Sequence, residues 1–262
     1  VNPIYLAGEG EGFVPPSAED FWQPLVGDGN FALTRPMVLM VIATVVVIVI
    51  GLVGTRRLQV VPGKGQWMFE SVYGFVRNSV ARDVMGEKHF KPYLPLLFSL
   101  FLVILVNNLF GVIPVLQYPT MSRIGFPIGL AILVYLLYLY LGFRKKGIGG
   151  YFAGLVPAGL PGWLVAPLFI IEFITYFIVR PVTLGLRLFG NMFAGHIILM
   201  LMALGGEYML LHGGPALKVM SIAPFAMSLI MTFFELLVEF LQAYIFTMLA
   251  ALYIADSLSE HH

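Results

Sequence analysis

The sequence predicts an all-α membrane protein: about five transmembrane helices, an amphipathic helix on the membrane surface, and a pair of long, steeply tilted helices near the C-terminus. Three observations carry that expectation. Hydrophobic residues make up 59% of the chain and charged residues 11%, whereas a soluble domain carries about 25% charged residues. The charge-poor stretches reach the roughly 20 residues that a spanning helix needs. No stretch is polar enough for a separate soluble domain, so the 262 residues read as one integral membrane domain.

Residues 1–35 begin VNPIYLAGEGEGFVPPSAEDFW, without the basic start and apolar run of a secretory signal. They read as an exposed acidic arm. Residues 36–55 form the first span, opened by Pro36, which suits a first helical turn, and closed by Arg56 and Arg57. Residues 64–91 differ, because charges recur through them while Trp67, Phe69, Val72, Phe75, Val76 and Val80 keep an apolar stripe. That pattern suits a helix lying on the membrane surface. Residues 92–143 hold two spans. PLLFSLFLVILVNNLFGVIP ends near Pro114, with Asn107 and Asn108 late in it as interhelical hydrogen-bonding groups. Ile124 to Phe143 follows, closed by RKK at 144–146, and GIGGYFAGLVPAGLPG reads as a connector.

Residues 163–258 form the hairpin. Its two arms, Trp163 to Leu204 and Pro215 to Leu258, would each extend about 60 Å as helix. That is twice the hydrocarbon thickness, so both must tilt or run partly along the membrane. GGEYMLLHGGP reads as the turn between them. Ten Lys or Arg lie in the loops at 56–91 and 144–146, against one each in the N-terminal arm and the loops near Arg123 and Lys218. The bias puts the N-terminus outside and the C-terminus in the cytoplasm.

A net charge of +1 offers no basic surplus for nucleic acid, and the absence of cysteine removes thiolate metal sites and Cys nucleophiles. No GxxxxGK[ST] loop is present, so no nucleotide chemistry is expected of this chain itself, and neither metal nor cofactor is expected. What remains is a set of polar residues inside the hairpin: Glu172, Arg180, Thr183, Arg187, Asn191 and His196, then Glu235, Glu239, Gln242 and Asp256.

In an antiparallel hairpin, residues equidistant from the turn share a membrane depth. With the turn near Pro215, Arg187 is level with position 243 beside Gln242, Asn191 with Glu239, and His196 with position 234 beside Glu235; Glu172 falls near Asp256 or Leu258. At about 100° per residue, Arg180, Thr183, Arg187 and Asn191 share a stripe, as do Glu235, Glu239 and Gln242. His196 points to the side opposite Arg187. An arginine at mid-helix in a bilayer costs about 2.5–3.5 kcal/mol and should face protein or water. It stays protonated, so it can hold an anion but cannot relay a proton. An imidazole and a carboxyl can do so. The sequence thus separates a fixed cation from a titratable pair.

At these residues the chain resembles subunit a of the F-type ATP synthase, the stator of a membrane rotary motor. RPVTLGLRLFGNMFAG at 180–195 resembles the family's arginine motif, LVEFLQAYIFTMLAALYI at 237–254 its final helix, and NNLFGVIP at 107–114 its earlier signature. The resemblance implies that Arg187 is the stator arginine facing a ring of c subunits, with Asn191 and Gln242 as polar neighbours and His196 and Glu235 in an outer proton half-channel. It implies a proton path that includes Glu239, an inner path near Glu172, Thr183 and Asp256, and partners in the c-ring, the peripheral-stalk b subunits and the rest of the complex. It also implies a bacterial plasma membrane, with the energy-transducing membrane of an organelle as the alternative. Many bacterial members carry the acid and the imidazole on the opposite helices from His196 and Glu235. Glu172 stands fifteen residues before Arg187, one farther than the family's upstream acid. Two other classes compete: a proton-coupled secondary transporter, which should show repeat symmetry that this sequence lacks, and a structural assembly subunit, which would tolerate loss of Arg187.

Overall fold

A computed structural model of the chain describes residues 13, 15–16, 24–26, 33–56, 58–113, 120–156 and 161–259. Most of the N-terminal arm, Arg57, Pro114 and the connector at 157–160 lie outside the described residues. Almost all described residues are helical. The exception with regular pairing is a short antiparallel ladder between β1 (Pro24–Val26) and β2 (Leu33–Thr34).

The first span is α1 (Arg35–Arg56), with Pro36 in its first turn and Arg56 in its last. Val41, Val45, Leu52 and Val53 are more than half exposed, a surface that suits lipid rather than water. The amphipathic stretch forms α2 (Lys64–Phe75), a π-helical segment Val76–Arg82, and α3 (Asp83–His89), broken at Gly86, whose φ is 75°. Its later half buries Val76, Val80, Ala81 and Met85 and packs against neighbouring helices, while Trp67 and Met68 stay exposed.

The second predicted span is α4 (Leu94–Leu109), 16 residues long. It is shorter than the bilayer core as α-helix alone, about 24 Å. Hydrogen-bonded turns continue it at both ends, with Leu94 N donating to Phe90 O and Ile113 N to Leu109 O. The third is α5 (Gly125–Ala153), and here the expectation needs correcting. The chain does not leave the helix as a connector after Lys146. Gly147, at φ 70° and ψ 164°, breaks the axis, and GIGGYFA folds back as a short helical return. Tyr151 then lies over Gly142, where a Cβ would run into its ring. Only hydrogen at Gly142 permits that contact.

The hairpin is longer than its two expected arms. α6 (Gly162–Ile174), a π-helical segment Thr175–Val179 and α7 (Arg180–His212) run as one 51-residue helix. Gly205 and Gly206, read as part of the turn, are helical; Gly206 abuts the Phe225 ring. The turn is confined to Gly213 and Gly214, before α8 (Pro215–Met220) and α9 (Ile222–Leu258). Arg35–Arg56, Gly125–Ala153, Gly162–His212 and Pro215–Leu258 are each long and apolar enough to cross a membrane, with Leu94–Leu109 a shorter apolar helix beside them.

α9 is the central element, packed against α3, α4, α5 and α7. Leu97, Phe101, Ile104, Val134, Tyr138, Leu188, Met192, Ala250 and Ile254 form the core between these helices.

Candidate functional site

The burial pattern of α7 divides it into two faces. Leu184, Gly185, Leu188, Met192 and His196 are buried, in steps that follow the helical period. Gly185 lets α7 approach α5 closely, since a Cβ there would lie 3.4 Å from the Ile128 backbone. Thr183, Leu186, Arg187, Asn191 and Ala194 form the exposed face. Thr183 Oγ1 donates to Val179 O at 2.6 Å, so its hydroxyl is bound to its own helix.

Arg187 therefore lies on the exposed face of α7. Its guanidinium makes no hydrogen bond or ion pair among the described residues. A permanent cation on an apolar helix face requires water or an anion from outside the chain.

His196 points inward, as its position nine residues after Arg187 predicts. It is 3% exposed and Glu235 is 5% exposed. His196 Nδ1 and Glu235 Oε1 lie 3.6 Å apart, near enough for an ion pair when the imidazole is protonated. Gly195 makes room for that carboxylate: a Cβ on it would stand 3.3 Å from Glu235 Oε1. The level match expected from the sequence is met here.

One turn farther along α9, Glu239 is fully buried, and its carboxylate has no hydrogen-bond partner among the described residues. Its backbone carbonyl accepts from Asn108 Nδ2 at 3.2 Å, which joins α4 to α9 as the sequence suggested for this pair. Asn107 instead anchors the following loop, accepting from Thr120 Oγ1 at 2.8 Å. Gln242 is also buried. Glu239 and Gln242 thus sit inside the bundle while their level partners Asn191 and Arg187 are exposed; the two polar stripes share depth but not a face.

At the other end, Asp256 pairs with Arg180, not with Glu172: Arg180 Nη2 lies 3.0 Å from Asp256 Oδ2. Arg180 does not reach for the membrane interface, the usual course for an arginine near a membrane boundary. It lies instead over the Tyr176 ring at 3.5 Å and near the Tyr253 ring at 4.9 Å. The partnership is not evident from spacing, because Asp256 lies more than one helical turn past the position level with Arg180, while His196 and Glu235 keep the level rule. The signal in the sequence was two opposite charges left over at matching ends of the hairpin.

Glu172 is half-buried, one helical turn before that π-helical segment. A π-helical turn, bonded i→i+5, takes in about one residue more than an α-helical turn. Such a segment lies between Glu172 and Arg187. It also lies just ahead of Pro181, which cannot supply the N–H that an α-helix would need there.

Chemically, the hairpin presents an exposed fixed cation, an inward imidazole–carboxyl pair, a buried lone carboxyl group and a partly buried Arg–Asp pair. Among the described residues, no cluster of three or more His, Asp or Glu is arranged to hold a metal ion.

A family model described as ATP synthase A chain matches residues 37–255. The chain is 42% identical to an ATP synthase subunit a of a Nocardioides species, over 99% of this chain and 98% of that protein. It is 41% identical to ATP synthase subunit a of Pseudarthrobacter chlorophenolicus, over 98% and 96% of the two chains. The corresponding protein of Streptomyces lividans is 37% identical, over 97% and 91%. With apolar helices of membrane length and an arginine exposed at the middle of one of them, this integral membrane chain belongs to the ATP synthase subunit a family.

Proposed function

We propose that the chain is the proton-translocating stator subunit of a rotary F-type ATP synthase. The observation that carries this reading is Arg187: an exposed guanidinium at mid-helix, without an ion-pair partner among the described residues, on a face whose reverse side holds the His196–Glu235 pair. The sites are about 13 Å apart along α7.

In this reading protons enter from outside past His196, Glu235 and Glu239, with Asn191 and Gln242 beside the path, and protonate a carboxylate on a c-subunit ring. The neutral carboxyl enters lipid; the ionised form is excluded by the cost of an unpaired charge there. Rotation brings it to an inner path near Glu172, Thr183 and Asp256, where it releases its proton and meets Arg187. A fixed cation attracts the ionised carboxylate and passes no proton itself, so flow between the two paths requires rotation. Each charge that crosses contributes about 2.3 kcal/mol per 100 mV. Peripheral-stalk b subunits would hold the chain against the ring's torque, and nucleotide chemistry would belong to other subunits. The Lys/Arg bias puts the N-terminus outside a bacterial plasma membrane and the C-terminus in the cytoplasm.

The test uses the assembled complex in reconstituted vesicles. Arg187→Ala is expected to leave assembly intact and to abolish ATP synthesis driven by a proton gradient. Retained synthesis would reject this function in favour of a purely structural subunit.

A further inference from the structure

The hairpin is closed at one end by Gly213 and Gly214 and is open at the other. At that open end four helical elements converge on one guanidinium. Arg180 pairs with Asp256 of α9 at 3.0 Å and stacks on Tyr176 of the π-helical segment at 3.5 Å; Tyr253 of α9 stands on another side at 4.9 Å. Tyr138 of α5, 1% exposed, donates its hydroxyl to the Tyr176 carbonyl at 2.7 Å and meets the Tyr253 ring edge-on at 5.8 Å. Arg180 Nη1 is buried and donates to no oxygen among the described residues, and the guanidinium lies over the π face of Tyr176.

Such an enclosure has mechanical consequences. An arginine held by a carboxylate and a stacked ring has one orientation, because a planar fork fits both partners at once. Arg180 lies seven residues before Arg187 on the same helix, about 10 Å along the axis and within a small rotation of the same stripe. His196–Glu235 ties α7 to α9 on the other side of Arg187. Arg187 is therefore bracketed by two cross-helix contacts, the Arg180–Asp256 ion pair and the His196–Glu235 approach.

We infer that Arg180 is a positioning residue: its ion pair with Asp256 locks the open end of the hairpin and fixes the rotation of α7 at which Arg187 faces outward. This rests on the proposed function, in which the direction of Arg187 decides coupling. Asp256 acts through Arg180.

Assembled complexes carrying Arg180→Gln, Asp256→Asn, both changes together, or the reversal Arg180→Asp with Asp256→Arg are reconstituted in vesicles. ATP synthesis under an imposed proton gradient is compared with passive proton leak, beside Arg187→Ala as reference. Each single variant should lower the ratio of synthesis to leak roughly threefold to tenfold, the range that coupled neighbouring residues supply. The double variant should be no worse than the worse single one, and the reversal should recover much of the loss. Unchanged single variants, losses that multiply in the double variant, or a reversal no better than the double would each overturn the inference. Should the neutral variants fail to assemble, the reversal decides: restored assembly and coupling support the pair, and failed assembly overturns it. If Arg187→Ala loses synthesis while the variants at 180 and 256 match the unmodified chain, this inference alone falls. If Arg187→Ala retains synthesis, the proposed function falls.

Discussion

Gly195 of α7 and Glu235 of α9 meet so closely that a Cβ on the glycine would stand 3.3 Å from the carboxylate Oε1. The absence of a side chain at 195 lets a carboxyl group lie against helix backbone, 3.6 Å from the imidazole of the next residue. The pair is therefore set by a neighbour that carries no chemistry of its own.

Adding bulk there should displace Glu235 without altering any titratable group. Gly195→Ala should weaken proton conduction mildly, because the neighbouring atoms need move only by tenths of an ångström. Gly195→Val should reduce it roughly tenfold or more, the scale of effect that a misplacement near 1 Å produces. Passive proton uptake by vesicles holding the membrane sector measures both.

The imidazole and the carboxylate face each other across one interhelical gap, so their order should matter less than their presence. His196→Ala and Glu235→Ala should each suppress proton conduction. The exchange His196→Glu with Glu235→His should restore a measurable part of it, since either order provides one imidazole and one carboxyl in the same place. An exchange as inactive as the single variants would show that each group has a separate partner.

Arg187→Lys preserves the formal charge and should nevertheless fail. A lysine sheds its proton on burial far more readily than arginine and offers a point charge in place of a planar fork. Gradient-driven synthesis should fall to background while passive leak rises. A lysine variant that couples normally would show that charge alone suffices at this position.

Gly147 tests the fold and not the path. Its φ of 70° with ψ of 164° lies where a side chain is strained, and such strain costs roughly 1–3 kcal/mol. Gly147→Ala should lower the thermal midpoint of the purified complex and free the helical return that carries Tyr151. An unchanged midpoint would mean that the return contributes little to stability.

By itself the sequence determined the class of protein, most of the spans, the amphipathic stretch and the antiparallel hairpin. Composition and the helical period act over a few residues, and a bilayer turns them directly into structure. It also determined that Arg187 and His196 lie on opposite faces, since nine residues on an α-helix fix that relation, and it brought His196 level with Glu235. The tertiary structure alone decided which side of each helix is buried, and so it placed Glu239 and Gln242 inside while Asn191 and Arg187 remain exposed. It gave Asp256 to Arg180 instead of Glu172. Level-counting gives depth along each helix but not where a long side chain reaches, and Arg180 meets Asp256 more than one helical turn past its level position. Local periodicity can order side chains along one helix; only the contact between helices chooses their partners.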